Sequence, residues 1–179
     1  MSSEYPENIA GGEVAETYIS YHDNQTVAVK TTVLHDQPHG EMLIYDDKGA
    51  LLQKSYYQHG SLHGEVVIYQ EGKIFSITPF VDGKKHGLAQ VFDNQGKLSV
   101  SQYYEADQLH GKSIWYSPEQ TVVKLANYRF NQLQGKTMLF YANGKPFEKH
   151  YYHCGVACGN IIRYTPMGAV ETISSTQEQ

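Results

Sequence analysis

A glycine returns with almost no drift along this chain of 179 residues. It stands at Gly40, Gly64, Gly87, Gly111, Gly135 and Gly159, in steps of 24, 23, 24, 24 and 24. A fixed period of this length marks a repeat architecture, in which no unit buries its apolar surface alone. Other positions keep the register. Five residues after each glycine is an aromatic: Tyr45, Tyr69, Phe92, Tyr116, Phe140 and Tyr164. Four before stands a residue tolerant of positive φ: Asp36, Gly60, Gly83, Asp107, Asn131 and Gly155. Seven before are Val33, Tyr57, Phe80, Tyr104, Tyr128 and Tyr152. A second turn glycine follows at Gly49, Gly96, Gly144 and Gly168, and one place earlier, at Gly72, in the short unit. The unit after Gly111 has Ser117-Pro118-Glu119-Gln120 there, another turn-forming composition.

Each unit therefore reads as strand, turn, strand, turn, with the residue chemistry of antiparallel hairpins. Nothing shows sustained helical periodicity, and glycines recur too often for a long helix. The expected fold is all-β: an elongated, twisted antiparallel sheet of tandem hairpins. An incomplete unit precedes Gly40, with a strand over Tyr18 to Tyr21, a turn at Asp23-Asn24-Gln25 and a strand from Thr26 to Val33. The organisation expected is an N-terminal arm over 1–15, a repeat domain over 16–173 and a flexible tail over 174–179.

Strand parity then assigns faces. With the first turn centred about eight residues after the repeat glycine, the aromatic at +5 opposes the apolar residue at +11 (Leu51, Leu98 and Val122; Ile74 in the short unit). Position +17 would then meet +3 of the next unit. That places both series of aromatics in one stacked groove, as the repeat core. The other face would carry position +4, including Ile44, Ile68 and Trp115, and position +16, including Tyr56, Tyr103 and Tyr151. A solvated face should alternate with polar residues. These six therefore form the candidate partner-binding set, unless that side is buried within the monomer or a homodimer.

Two segments carry a family likeness: Tyr57-Gln58-His59-Gly60-Ser61-Leu62-His63-Gly64 and Phe80-Val81-Asp82-Gly83-Lys84-Lys85-His86-Gly87. They resemble the bacterial variant of the MORN repeat, Y-x-x-G-x-x-H-G followed by an aromatic strand. The likeness runs from about Thr26 to Val170 and departs where Gln134 and Cys158 replace histidine. The resemblance implies a YwqK-type antitoxin or immunity protein that neutralises a toxin by direct binding. MORN proteins also serve as scaffolds, dimerisation modules and lipid-contacting segments, so the repeat points to fold more than to function.

Histidines precede four repeat glycines: His39, His63, His86 and His110. Equivalent residues lie two strand spacings apart, about 9.5 Å, too far for the roughly 2.0–2.1 Å ligand distances of zinc. They are read as turn residues that pack and hydrogen-bond, with a pH-sensitive contact as the alternative. Cys154 and Cys158 flank the turn at Gly155. Free thiols, a cross-turn disulfide, and zinc through both cysteines and one histidine are the three readings; no metal or other cofactor is expected. There is no G-x-S-x-G elbow, and Gly111-Lys112-Ser113 and Gly135-Lys136-Thr137 are phosphate-loop tails without the leading glycine. An enzyme is not expected.

The 14 basic and 19 acidic residues leave a formal charge of −5. That disfavours nucleic acid and adhesion to anionic membrane, and suits a basic protein partner. No apolar run reaches the roughly 20 residues of a spanning helix, and Met1 to Pro6 reads as no secretory signal. A cytoplasmic protein is expected, with a protein partner, namely a cognate toxin, or a second copy as the alternative.

Overall fold

The structure, a computed structural model, describes residues 8–9 and 13–175. Every regular element among them is a β-strand, and no helix is long and apolar enough to cross a membrane. The chain divides into two compact units, 1–85 and 86–179.

The first unit contains Glu16–Tyr21, Val27–Leu34, Gln37–Tyr45, Leu51–Gln58, Ser61–Leu62, Gly64–Gln70, Lys73–Val81 and Lys84–Lys85. In the expected arm, Asn8–Ile9 pairs with Glu13–Val14, and the remaining residues before 13 lie outside the described set. The second unit contains Gly87–Phe92, Leu98–Glu105, Gln108–Tyr116, Val122–Arg129, Gln132–Leu133, Gly135–Phe140, Pro146–His153, Val156–Tyr164 and Val170–Ser175. The last strand thus extends two residues into the segment expected as tail; residues 176–179 lie outside the described set. Within each unit successive strands pair antiparallel, as the tandem hairpins require.

Two turn types alternate. The −4 position closes a two-residue turn in which both residues have positive φ, as in His59 and Gly60 (47° and 78°) or Phe130 and Asn131 (51° and 66°). This type I′ geometry matches strand twist, which is why Asp, Asn and Gly recur there. The other turn is longer. Asp46 accepts from Lys48 N and Ala50 N through Oδ1, and Asp93 accepts from Gln95 N and Lys97 N in the same way. In the short unit a two-residue turn at Glu71 and Gly72 replaces it, which removes the missing residue.

The register corrects the face assignment. Positions +5 and +11 do oppose each other: Tyr45 with Leu51, Tyr69 with Ile74, Phe92 with Leu98, Tyr116 with Val122, Phe140 with Pro146 and Tyr164 with Val170. A one-residue bulge follows each pair, however. Ile44 opposes Gln53, so Leu52 is extra, and the same place is taken by Phe75, Ser99, Val123, Phe147 and Glu171. One inserted residue reverses strand parity. Position +17 therefore lies opposite the repeat glycine, as Tyr57 does with Gly40 and Tyr128 with Gly111. Position +3 of the next unit meets +14 instead, as Val67 meets Lys54 and Met138 meets Leu125.

The two aromatic series consequently occupy opposite faces and do not form one groove. One face, here the glycine face, carries the repeat glycine with +2, +4 and +17. The other, the ring-pair face, carries +1, +3, +5, +11, +14 and +16. Full burial falls on small side chains: Ser55, Ser113, Ala126 and Thr137 all lie on the glycine face. The only buried apolar residues among those described are Ala15, Leu34 and Ala126. The rings of both series are half-buried. Stability must therefore come from ring coverage and the strand ladder within each unit rather than from a closed apolar core.

Candidate protein-binding surface

The ring-pair face is built outward from the +5/+11 pairs. Each half-buried aromatic is set against an aliphatic or proline partner, and position +16 adds a ring one pleat away. Tyr56, Tyr103 and Tyr151 reach solvent there, 49%, 40% and 41% exposed. They stand directly across from Glu41, Leu88 and Lys136. Lys149 lies over Tyr151, with Nζ 5.4 Å from the ring centroid. In the first unit Lys54 pairs with Glu41, and this hydrogen bond first, then the charge, raises the Lys54 ammonium above its ordinary range. Beside it an open hollow of about 420 Å³ is lined by Lys54, Tyr56, His63, Glu65 and Val67, among others.

Trp115, Ile44 and Ile68 are on the glycine face and half-buried. The six candidate binding residues are thus divided: within each unit the tyrosines at +16 take the ring-pair face and the +4 residues the glycine face. Lys124 covers Trp115 at 4.6 Å from Nζ to the ring centroid. On this face Glu148, opposite Arg163, accepts from Arg163 Nε at 2.5 Å and also pairs with His150. Those two bonds, Arg163 first, hold the Glu148 carboxyl below its usual range. This cluster was not singled out from the sequence; its only signal there was an acid beside the bulge, in a place held by Gln53 and Lys124 elsewhere.

The four histidines lie three residues beyond the two-residue turns, His39 and His110 within strands Gln37–Tyr45 and Gln108–Tyr116 and His63 and His86 just before the next strand. His39 Nδ1 accepts from His59 N at 3.4 Å, and the two rings meet edge to face. His63 Nδ1 lies 3.5 Å from Asp82, and His110 Nδ1 lies 3.4 Å from Glu105. His110 also packs against Phe130. His86 opens the second unit. Where glutamine replaces histidine the role continues, since Gln134 Oε1 accepts from Cys154 N at 2.9 Å. Among the described residues no cluster of three or more His, Cys, Asp or Glu is placed to hold a metal ion. Cys154 and Cys158 are both free and exposed.

These features define an all-β hairpin-repeat protein with exposed tyrosines at one repeat position in each unit. Residues 38–59 and 133–153, one segment in each compact unit, match the family model described as MORN repeat variant, so repeats of this type are present in both units. No curated protein matches the chain. Two solved structures are similar to it at low level. One is a point mutant of S. aureus TarM in complex with fondaparinux, alpha-GlcNAc-glycerol and UDP, at 14% identity and TM-score 0.30. The other is a crystal structure of TarM, at 15% identity and TM-score 0.32. Each match covers 73% of this chain, and the chain spans about a fifth of the length of either structure (21% and 20%). Likeness at that level carries no argument about this chain.

Proposed function

We propose that the chain is a non-catalytic binding protein that neutralises a bacterial toxin by docking on its ring-pair face. The observation that carries this reading is the exposure of Tyr103 and Tyr151 on the ring-pair face of the second unit, and of Tyr56 at the same repeat position in the first. Tyrosine supplies a large apolar ring at low entropic cost together with a hydroxyl, which makes it a favoured interface anchor. The first unit adds a charge preference. It has six Lys and Arg against twelve Asp and Glu, whereas the second has eight against seven. A basic partner is therefore steered to the first unit.

The test is growth rescue. Cells expressing candidate toxins from adjacent genes should survive when this chain is coexpressed. Rescue should fall when Tyr56→Ala, Tyr103→Ala and Tyr151→Ala are combined in a chain whose circular dichroism is unchanged. Full rescue by the triple variant would reject the docking face, and no rescue with any candidate would reject the toxin reading. A stable complex without an effect on growth would favour the alternative of a scaffold or adaptor, which the same exposed tyrosines support.

A further inference from the structure

Across neighbouring strands of the second unit, one row of the ring-pair face reads Leu88, Tyr103, Lys112, Asn127, Lys136 and Tyr151. Two exposed tyrosines thus bracket two lysines and a neutral amide. Lys112 and Lys136 are exposed and have no ion-pair partner among the described residues. Asn127 is tied down, its Nδ2 donating to Lys136 O at 2.8 Å. Lys149 adds a third cation over the ring of Tyr151. The row holds no carboxylate. The described acids of this unit stand in or beside turns (Asp93, Glu105, Asp107 and Glu119) or at a bulge (Glu171). The remaining one, Glu148, is on the glycine face and engaged by Arg163 and His150. This face of the second unit is therefore cationic and aromatic, although the chain as a whole is acidic.

Spacing narrows what such a row can take. Lys112 and Lys136 are two strand steps apart, about 9.6 Å, and Tyr103 and Tyr151 are four apart, about 19 Å. A polyproline II helix advances about 9.3 Å per turn of three residues, so every third side chain points the same way. An extended β-strand repeats a face at about 6.7 Å and an α-helix at about 5.4 Å. A nucleic-acid strand sets its charges about 3.4 Å apart. None of these three keeps step with the lysines. We propose that this face of the second unit binds an acidic segment of a protein partner in polyproline II form, laid across the strands. A carboxylate at every third residue meets Lys112 and Lys136, and apolar rings of the segment lie on Tyr103 and Tyr151. Aromatic grooves suit such a helix because it arrives preformed and has no internal hydrogen bonds to lose. The inference rests on the ring-pair face being a docking surface, and not on the partner being a toxin.

The probe is a fluorescein-labelled peptide of four Glu-Pro-Pro triplets, titrated with the full-length protein and read by anisotropy. Binding is expected at low salt (about 0.01 M, Debye length roughly 30 Å) and should weaken about tenfold or more at high salt (about 1 M, roughly 3 Å). A peptide of the same composition with its four glutamates contiguous should bind several-fold more weakly. Lys112→Gln combined with Lys136→Gln should weaken binding about tenfold, whereas Lys112→Arg combined with Lys136→Arg should retain it, with circular dichroism unchanged in both. No binding of the triplet peptide at low salt overturns the inference. So does equal binding of the contiguous peptide, a folded glutamine variant that binds as the wild type does, or tighter binding of a twelve-residue oligothymidylate. Growth rescue without peptide binding would remove this inference and leave the toxin reading standing; peptide binding without growth rescue would do the reverse.

Discussion

Tyr57 lies directly across the ladder from Gly40, and on its other flank it faces Leu62. The relationship recurs as Gly87 with Tyr104, Gly111 with Tyr128 and Gly135 with Tyr152. Each glycine takes a positive φ, as at Gly40 (88°) and Gly111 (75°). Glycine holds such a φ without the strain a Cβ would bring, and the ring across the ladder from each is half-buried. Burial, then the neighbouring Tyr152, raises the Tyr128 phenol above its ordinary range. Tyr128→Ala should cost about 2 kcal/mol, since the ring is half-buried rather than enclosed. Tyr128→Phe should cost less than about 1 kcal/mol. Urea unfolding midpoints compare the two.

The longer turns allow backbone and side-chain terms to be separated. Gly96 has φ +80° and open space around the position of a Cβ, so Gly96→Ala meets no clash and should cost about 1 kcal/mol through backbone strain alone. Gln120 occupies the equivalent place at φ 65°, and its Nε2 donates to Leu98 O at 3.1 Å. Gln120→Gly relieves strain of about 1 kcal/mol and loses a bond worth about the same. The net change should be near zero by thermal denaturation.

Glu148 sets an acid dependence. Its carboxyl is held below the usual range by Arg163 and then His150. A depressed carboxylate contributes stability above its unfolded pKa of about 4.3, and that stability is lost as pH falls through the lower folded value. Melting temperatures should decline below about pH 4.5. Glu148→Gln should lower the midpoint by about 2–4 °C at pH 7 and flatten the acid decline.

Trp115 reports on the face it occupies. It is on the glycine face under Lys124, opposite the face that carries Tyr103 and Tyr151 in the same unit. Its emission maximum and acrylamide quenching should therefore stay unchanged when a protein partner binds at Tyr103 and Tyr151. A blue shift on association would place the contact on the opposite face.

Cys154 and Cys158 are exposed and unbridged. Two thiols per folded chain should react with a disulfide reagent without denaturant. Blocking them should leave the melting temperature within about 1 °C, because neither side chain is buried.

Residue type and period alone were enough for the antiparallel hairpins, the positive-φ turn positions at Asp107, Asn131 and Gly155, and the Tyr45–Leu51 class of pairs. Each of these depends on local chemistry, a positive φ or an apolar pair beside a turn, which amino-acid identity expresses directly. The face on which Tyr57 or Tyr56 lies was decided only in three dimensions. It turns on one inserted residue per hairpin, and Leu52, Ser99 and Glu171 have no shared chemistry to mark it. A bulge is a choice among backbone hydrogen bonds, made when strands twist against each other, and one such choice moves every later side chain to the other side.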